Sequence, residues 1–505
     1  MVLLDEPLTE VSVLENYING EWIKSKSGII WDVVNPATMK VISKVPRSNA
    51  EDVDDAVKAA KEAFPEWRKT PPTTRARYLF MLKVLLEEHF EELSRVQTME
   101  HGKTIDESRG ETRRGIENVE VACGIPSLMM GYNLEDIARG IDEYVVRQPI
   151  GVFAIIPPFN FPFMVPLWFL PYAIATGNTI IVKPSSEVPN SQTWLFRLLD
   201  EVGFPPGVVN LIQGGREVVN AFLTHPDIEG ISFVGSTPVG KEVYRIGCTH
   251  GKRVQVQGGA KNYGIVMPDC NVERTVRAIM TSFFGNTGQR CLAGANLVVV
   301  GEDKAFYDRF MKAVIKLAAA LKIGYGLDER VQMGPVRSPD KKIRIMGYIK
   351  GGLEDGANLL LDGRKPKILG EYPDSCFLGA TILDNVTNDM KVAQEEIFGP
   401  VMSVIQTKNL DDAIELMYNN PFGNSGSIFT SSGVSARKFQ YEAPIGNVGI
   451  NIGIPAPMAF FPFSGWRDSF FGDRHGQGGG HGFEGSIGFY TESKVVIARW
   501  PGWSA

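Results

Sequence analysis

Apolar residues recur along this chain with two different periods, and the dominant period changes near residue 150. Before that point Val53, Val57, Ala60 and Phe64 are spaced for one face of a helix. Ser48 or Asn49 can cap it and acids fill its first turn, which predicts a helix over 48–67. A longer helical stretch is predicted from about 73 to 100, with Leu79, Leu82, Leu85, Leu86 and Phe90 on its apolar stripe, and another from about 104 to 130. Short strands broken by Asn-Gly and Asn-Pro turns precede them over 18–45.

From residue 151 the β-branched runs VFAII, NTIIVKP, VVNLI, GISFV and YGIVM alternate with helices near 194–202, 216–224 and 238–249. That alternation predicts a parallel sheet covered by helices. A second α/β series begins near Asn271, with helices over 272–284, 304–321, 339–354, 411–418 and 435–442 and the strands ANLVVV, FLGATIL, VMSVIQ and GSIFT. Two amphipathic strands, 142–149 and 486–500, stand apart from both series and suit a small ribbon whose exposed edge invites another subunit.

The most apolar stretch, 151–182, carries Pro157, Pro158, Pro162, Pro166 and Pro171 with Asn160 among them. So many prolines suit a buried loop and packed helix better than a membrane span. At 505 residues and 44% hydrophobic content the chain can bury a large core and divide into two to four domains. Its net charge of -6 argues against general nucleic-acid or acidic-membrane binding. Five scattered cysteines without a CxxC pair, and a start lacking a basic n-region, lead to the cytoplasm as the expected compartment. A patch over 472–485 holds seven glycines and His475 and His481, but no carboxylate or cysteine at ligand spacing, so no metal site is expected.

Three segments carry candidate chemistry. Neither G-x-G-x-x-G nor a P-loop is present; the nearest element is ISFVGSTPVGKEVYR at 231–245, a strand turning at Gly235–Thr237 into a helix. Its free N–H groups and the Ser236 hydroxyl can meet a pyrophosphate, or serve plain capping. Lys183 ends a strand in IIVKPSSEVP, either reaching a sugar hydroxyl or leaving the core for solvent. Cys291 follows a glycine-rich turn in FFGNTGQRCLAG, where the adjacent Arg290 favours a thiolate; a buried structural thiol is the alternative, and is the reading taken for Cys123, Cys248, Cys270 and Cys376. Six histidines offer no context that selects a Cys–His hydrolase.

Together GQRCLAG, PPFNFP, KPSS, FVGSTPVG and EEIFGP resemble the aldehyde dehydrogenase family, in the family order and over nearly the whole chain. The resemblance implies an α/β fold: a Rossmann-like cofactor domain over 1–130 and 150–259, a catalytic α/β domain over 260–484, and small oligomerisation strands at 131–149 and 485–505. It implies Cys291 as nucleophile and the Asn160 amide with the Cys291 N–H as oxyanion hole. Phe159, Lys183, Ser186, Ser236, Glu396 and Phe398 would line the dinucleotide site.

Hydrolytic members carry a glutamate base where this chain has Gln257 in VQGGAK, and an amide is no base near neutral pH. The acyl-enzyme should then wait for a thiol. HGKRVQ, AKNYGIVMPD, HPDIEGISFVGS and NIGIPAPMAFFPFSG are similar to the branch that passes its acyl group to coenzyme A from malonate and methylmalonate semialdehyde. That branch implies Arg114 and Arg290 as partners of the substrate carboxylate, loss of CO2, and acetyl-CoA or propionyl-CoA as product. NAD is the expected cofactor. NADP is possible, because Ser186 stands where the branch has a glutamate and the acid falls one place later at Glu187. Partners are thus a small semialdehyde and coenzyme A, in a homo-oligomer (a dimer, or a tetramer of two dimers), without nucleic acid or membrane. The competing readings are a hydrolytic NAD(P)-dependent enzyme releasing the free acid and a non-catalytic relative, against which Cys291, Asn160 and Glu396 all speak.

Overall fold

A computed structural model of the chain describes residues 3–473 and 485–500. Most of the glycine-rich patch, with His475 and His481, lies outside them. Among the described residues two large sheets carry the architecture. In the first, Val209–Leu211, Thr179–Val182, Val152–Ile156, Ile228–Val234 and Arg253–Gln257 run parallel, in that spatial order. Their chain order is therefore 3-2-1-4-5, and the connections leave Val152–Ile156 and Ile228–Val234 in opposite directions. A crevice opens beyond the carboxyl ends of two such strands. Antiparallel strands Asn16–Ile18 and Glu21–Ile23 cover one edge of the sheet, and Phe470–Gly472 covers the other.

The apolar run 151–182 is the centre of this layer. Val152–Ile156 and Thr179–Val182 are buried at every residue because helices cover both faces. Phe153, Ile155, Ile180 and Val182 pack on one side, and Val152, Ala154, Ile156 and Ile181 on the other. Each such side chain contributes about 1.5–3 kcal/mol by leaving water. Between the strands lie the short helices Met164–Leu167 and Leu170–Ala175. No helix among the described residues is long and apolar enough to cross a membrane.

The second sheet runs Asn358–Leu361, Thr381–Asp384, Val401–Thr407, Gly294–Val300, Asn262–Val266, Ser425–Phe429, Asn447–Ile450, parallel except at Asn358–Leu361. Of its strands, the sequence pattern missed Asn358–Leu361 and Asn447–Ile450 and counted Asn262–Val266 with the first series; in the first sheet it missed Phe470–Gly472 and Arg253–Gln257, whose glutamines break the apolar run although both are buried. The helical stretch predicted over 73–100 divides at His89 into Pro72–Glu88 and Phe90–His101. The one over 104–130 is mainly Ile105–Cys123, started by a capping box in which Thr104 and Glu107 bond each other's backbone.

A third, antiparallel sheet joins Thr491–Arg499 to Ile141–Pro149 and Asn133–Ala138. The segment read as one strand from Ser486 begins instead as the helix Gly485–Tyr490, whose Ile487, Phe489 and Tyr490 are buried in the first core. Every residue of the edge strand Asn133–Ala138 is exposed. Cys248 also departs from expectation: it is exposed on the Thr237–Thr249 helix, whereas Cys123, Cys270 and Cys376 are buried.

Candidate active site

The crevice beyond Ile156 and Val234 is a cavity of about 520 Å³. Phe159, Asn160, Lys183, Ser186, Ser236, Glu396, Phe398 and Cys291 all line it. Ser236 is the residue before the thirteen-residue helix Thr237–Thr249, and its side chain makes no capping bond. Ser236 and Val239 at that helix start line the cavity, and a helix start offers free N–H groups to a pyrophosphate. Lys183 leaves its strand inward: its Nζ donates to the carbonyls of Pro184 and Gly214, and burial pulls its pKa down to about 8. Glu396 accepts from the Ala260 N–H at 2.8 Å, and burial pushes its carboxyl up to about 7. A Cβ on Gly259 would stand 2.7 Å from Glu396 Oε2, so only glycine admits this approach. Phe398 sits at φ +56° and packs edge-on to Phe159, which carries the Lys341 ammonium 4.2 Å above its ring. This donor set, with a helix start for phosphates and buried polar groups for sugar hydroxyls, fits a dinucleotide. Glu187, which could have replaced the absent acid at Ser186, is held by Lys341 through both carboxylate oxygens at 2.6 and 2.7 Å.

Cys291 sits three residues past a left-handed turn, with Asn286 at φ +51°, Thr287 at +53° and Gly288 at +70°. Backbone in that region must be held by its surroundings. Glu107 accepts from the Asn286 N–H, Thr287 Oγ1 donates to the Gly334 carbonyl at 2.8 Å, and Gln289 Oε1 accepts from the Arg337 N–H at 3.1 Å. Gly288 presses on the loop of Glu396: a Cβ there would fall 2.1 Å from the Gly399 carbonyl oxygen. The Cys291 carbonyl accepts from Asn262 Nδ2 at 2.7 Å and Asn424 Nδ2 at 2.8 Å. Asn160 Nδ2 donates to the Gln289 carbonyl at 3.0 Å, which brings the PPFNFP loop to the cysteine loop.

Arg290 was expected to ease ionisation of the neighbouring thiol. Burial outweighs it and, with the charge of Glu396, pushes Cys291 up to about 12. The Arg290 guanidinium is committed to Glu107 at 3.0 Å. Gln257 ends its strand, buried; Gly258 and Gly259 line the cofactor cavity, and Gln257 is not among the lining residues.

Cys291 also lines a second cavity of about 390 Å³. Its wall is apolar at Phe161, Met164, Trp168, Leu292, Ile454 and Phe463, and charged at Arg114, Arg290, Asp106, Glu107, Glu111 and Glu117. Arg114 Nη1 lies 3.4 Å from Glu117 and donates to the Pro457 carbonyl at 3.3 Å. Thus Cys291 lines both the larger cavity beyond the first sheet and the smaller cavity lined by Arg114 and Arg290. Sequence reasoning missed Glu107, Glu117, Asn262, Asn424 and Lys341. The T-x-x-E spacing from Thr104 marks Glu107 as a capping residue, but nothing local points it at Arg290. Among the described residues no group of three His, Cys, Asp or Glu side chains is placed to hold a metal ion.

A cysteine at such a junction is the layout of an aldehyde-oxidising dehydrogenase, and residues 22–496 match the aldehyde dehydrogenase family model; the chain belongs to that family. Within it, the chain is 49% identical to malonate-semialdehyde dehydrogenase 2 of Geobacillus kaustophilus (strain HTA426), over 97% of this chain and all of that one. The methylmalonate-semialdehyde dehydrogenase of Oceanimonas doudoroffii superposes with a TM-score of 0.94 at 40% identity, covering 97% of this chain and 99% of the other. A Sinorhizobium meliloti 1021 protein described as a methylmalonate-semialdehyde dehydrogenase and complexed with NAD does the same at 0.94 and 40%, over 98% and 99%.

Two predictions follow from the loop and its thiol. Alkylation of Cys291 by iodoacetamide, read by mass spectrometry of its peptide, should still rise with pH at about 9.5, where an ordinary cysteine of pKa about 8.5 has levelled off. A plateau reached by pH about 9.5, as for an ordinary cysteine, would show that burial does not govern the thiol. Gly288→Ala should destabilise the fold by about 1–3 kcal/mol in denaturant unfolding and depress turnover, since it adds both strain and a clash.

Proposed function

We propose that this chain is an NAD-dependent, coenzyme-A-acylating dehydrogenase that oxidises and decarboxylates malonate and methylmalonate semialdehyde to acetyl-CoA and propionyl-CoA. The observation that carries the reading is the position of Cys291, shared between the dinucleotide-shaped cavity and the cavity of Arg114 and Arg290. The similarity to proteins named for these two semialdehydes supports the substrate class, and the NAD complex of one of them supports the cofactor.

In this reading Arg114 and Arg290 take the substrate carboxylate and place the aldehyde carbon at Cys291. The Cys291 sulfur adds to that carbon as its proton is released, and the oxygen becomes an oxyanion held by the Asn160 amide and the Cys291 N–H. Lys183 and Glu396 bind the ribose hydroxyls, Ser236 the pyrophosphate, Ser186 faces the adenosine ribose, and Phe159 and Phe398 pack along the cofactor. Bound NAD supplies the hydride acceptor that turns the adduct into a thioester on Cys291. The carboxylate now lies β to a thioester carbonyl, so its C–C bond breaks, CO2 departs and the enolate takes a proton at carbon. The coenzyme A thiolate then attacks the thioester carbonyl and Cys291 leaves as thiolate. Gln257 in the place of a glutamate base leaves water unactivated, which preserves the thioester for the thiol.

We assign the cofactor role to 1–130 and 150–259, catalysis to 260–484, and assembly to 131–149 and 485–505. The exposed edge Asn133–Ala138 supports a homodimer or a tetramer of two dimers. A cytoplasmic setting suits an enzyme that needs a free thiol.

Two experiments test this. Purified protein given either semialdehyde and NAD, with and without coenzyme A, should show sustained turnover only with coenzyme A and form acetyl-CoA or propionyl-CoA by mass spectrometry. Free acid produced equally fast without coenzyme A would defeat the thiol-transfer reading. Arg114→Ala should raise KM for malonate semialdehyde by about ten- to a hundredfold, as loss of a charge-assisted bond implies, and raise that for propanal far less.

A further inference from the structure

The cavity proposed to take an anionic substrate already contains its own anions. Arg290 faces Glu107 at 3.0 Å and Arg114 faces Glu117 at 3.4 Å, and all four line the cavity; the other two lining carboxylates, Asp106 and Glu111, are paired with Arg109 and Lys103 instead. As ion pairs the two arginines are neutralised before any substrate arrives, so the cavity attracts an anion less than two bare guanidinium groups would.

The two counter-ions differ in how they are held. Glu107 is fixed from three sides: its Oε2 accepts from the Thr104 N–H at 3.1 Å in the capping box, and its Oε1 from the Asn286 N–H and from Arg290. It cannot withdraw without releasing both the helix start and the cysteine turn. Arg290 nevertheless keeps donor capacity, because its Nε finds no acceptor among the described residues. Glu117 has no such anchorage. It stands one turn after Arg114 on the Ile105–Cys123 helix, partly buried, and its carboxylate contacts Arg114 at the long end of hydrogen-bonding distance. Arg114 itself is held independently by the carbonyls of Ala456 and Pro457 at 3.4 and 3.3 Å. These contacts do not involve Glu117 and remain open to Arg114 when Glu117 leaves.

We infer that Glu117 is a displaceable internal carboxylate that occupies Arg114 in the free protein, so that the substrate carboxylate binds by exchange and Glu117 sets how strongly the site selects an acid aldehyde over a neutral one. The inference rests on the functional reading above and adds a specificity-determining residue to it. An Arg–carboxylate contact forms in both states, and the net gain on binding is only the difference between them.

The test compares wild type with Glu117→Gln, an isosteric change on a partly exposed helix face, using NADH formation from malonate semialdehyde and from propanal in the presence of coenzyme A. Removing the competitor should lower KM for malonate semialdehyde roughly three- to tenfold, raise the ratio of its kcat/KM to that of propanal by a similar factor, and steepen the dependence of that KM on salt. Glu120→Gln removes the same charge from the same helix at an exposed site beside Lys83 and should leave the ratio where it was. An unchanged or raised KM in Glu117→Gln would overturn the exchange and make Glu117 a residue that orients Arg114. An equal gain in Glu120→Gln would overturn it too, by reducing the effect to overall charge. Wild type that makes no distinction between malonate semialdehyde and propanal would defeat the functional reading itself, whatever the variants do.

Discussion

Residues 286–288 run through left-handed backbone, a conformation that costs about 1 kcal/mol or more at each non-glycine position and survives only when its surroundings over-determine it. Here the surroundings come from every part of the molecule. Glu107 reaches in from the helix beside the first sheet, Gly334 and Arg337 from the loops after the Lys304–Ala319 helix, Gly399 from the loop of Glu396, and Asn262 and Asn424 from the second sheet. The turn is thus held by segments far apart in the chain, and Cys291 follows it three residues on.

Burial dominates the electrostatics of the same region. It raises Cys291 and Glu396 and lowers Lys183 and Lys261, and the neighbouring charges only partly offset it. Each shift favours the neutral form, as expected when groups leave water without a strong partner. The cavity of Arg114 and Arg290 follows a different rule. Its charges are retained, but each is matched by a carboxylate of the chain, so that anion recognition becomes an exchange of partners.

Much of this was legible in the linear order of residues. The alternation of β-branched runs and helices specifies wound sheets because most strands covered on both faces are apolar, Arg253–Gln257 being an exception. The motifs around Cys291, Asn160, Lys183, Ser236 and Glu396 carry the resemblance to the family to which the chain belongs. These features are local: each depends on residue type, on spacing along one element, or on the bonding capacity of one side chain.

Other features belong to the folded molecule alone. That Cys291 belongs to both cavities, that Arg290 serves Glu107 before it can serve the thiol, that Glu187 is claimed by Lys341, and that 485–490 coils into the first core are contacts between segments far apart in the chain. Composition and periodicity describe what one segment can do with water or with its immediate neighbours. They are silent on which distant partner will outbid solvent for a given charge, because that is decided by burial, and burial exists only once the two sheets have closed on the loop between them.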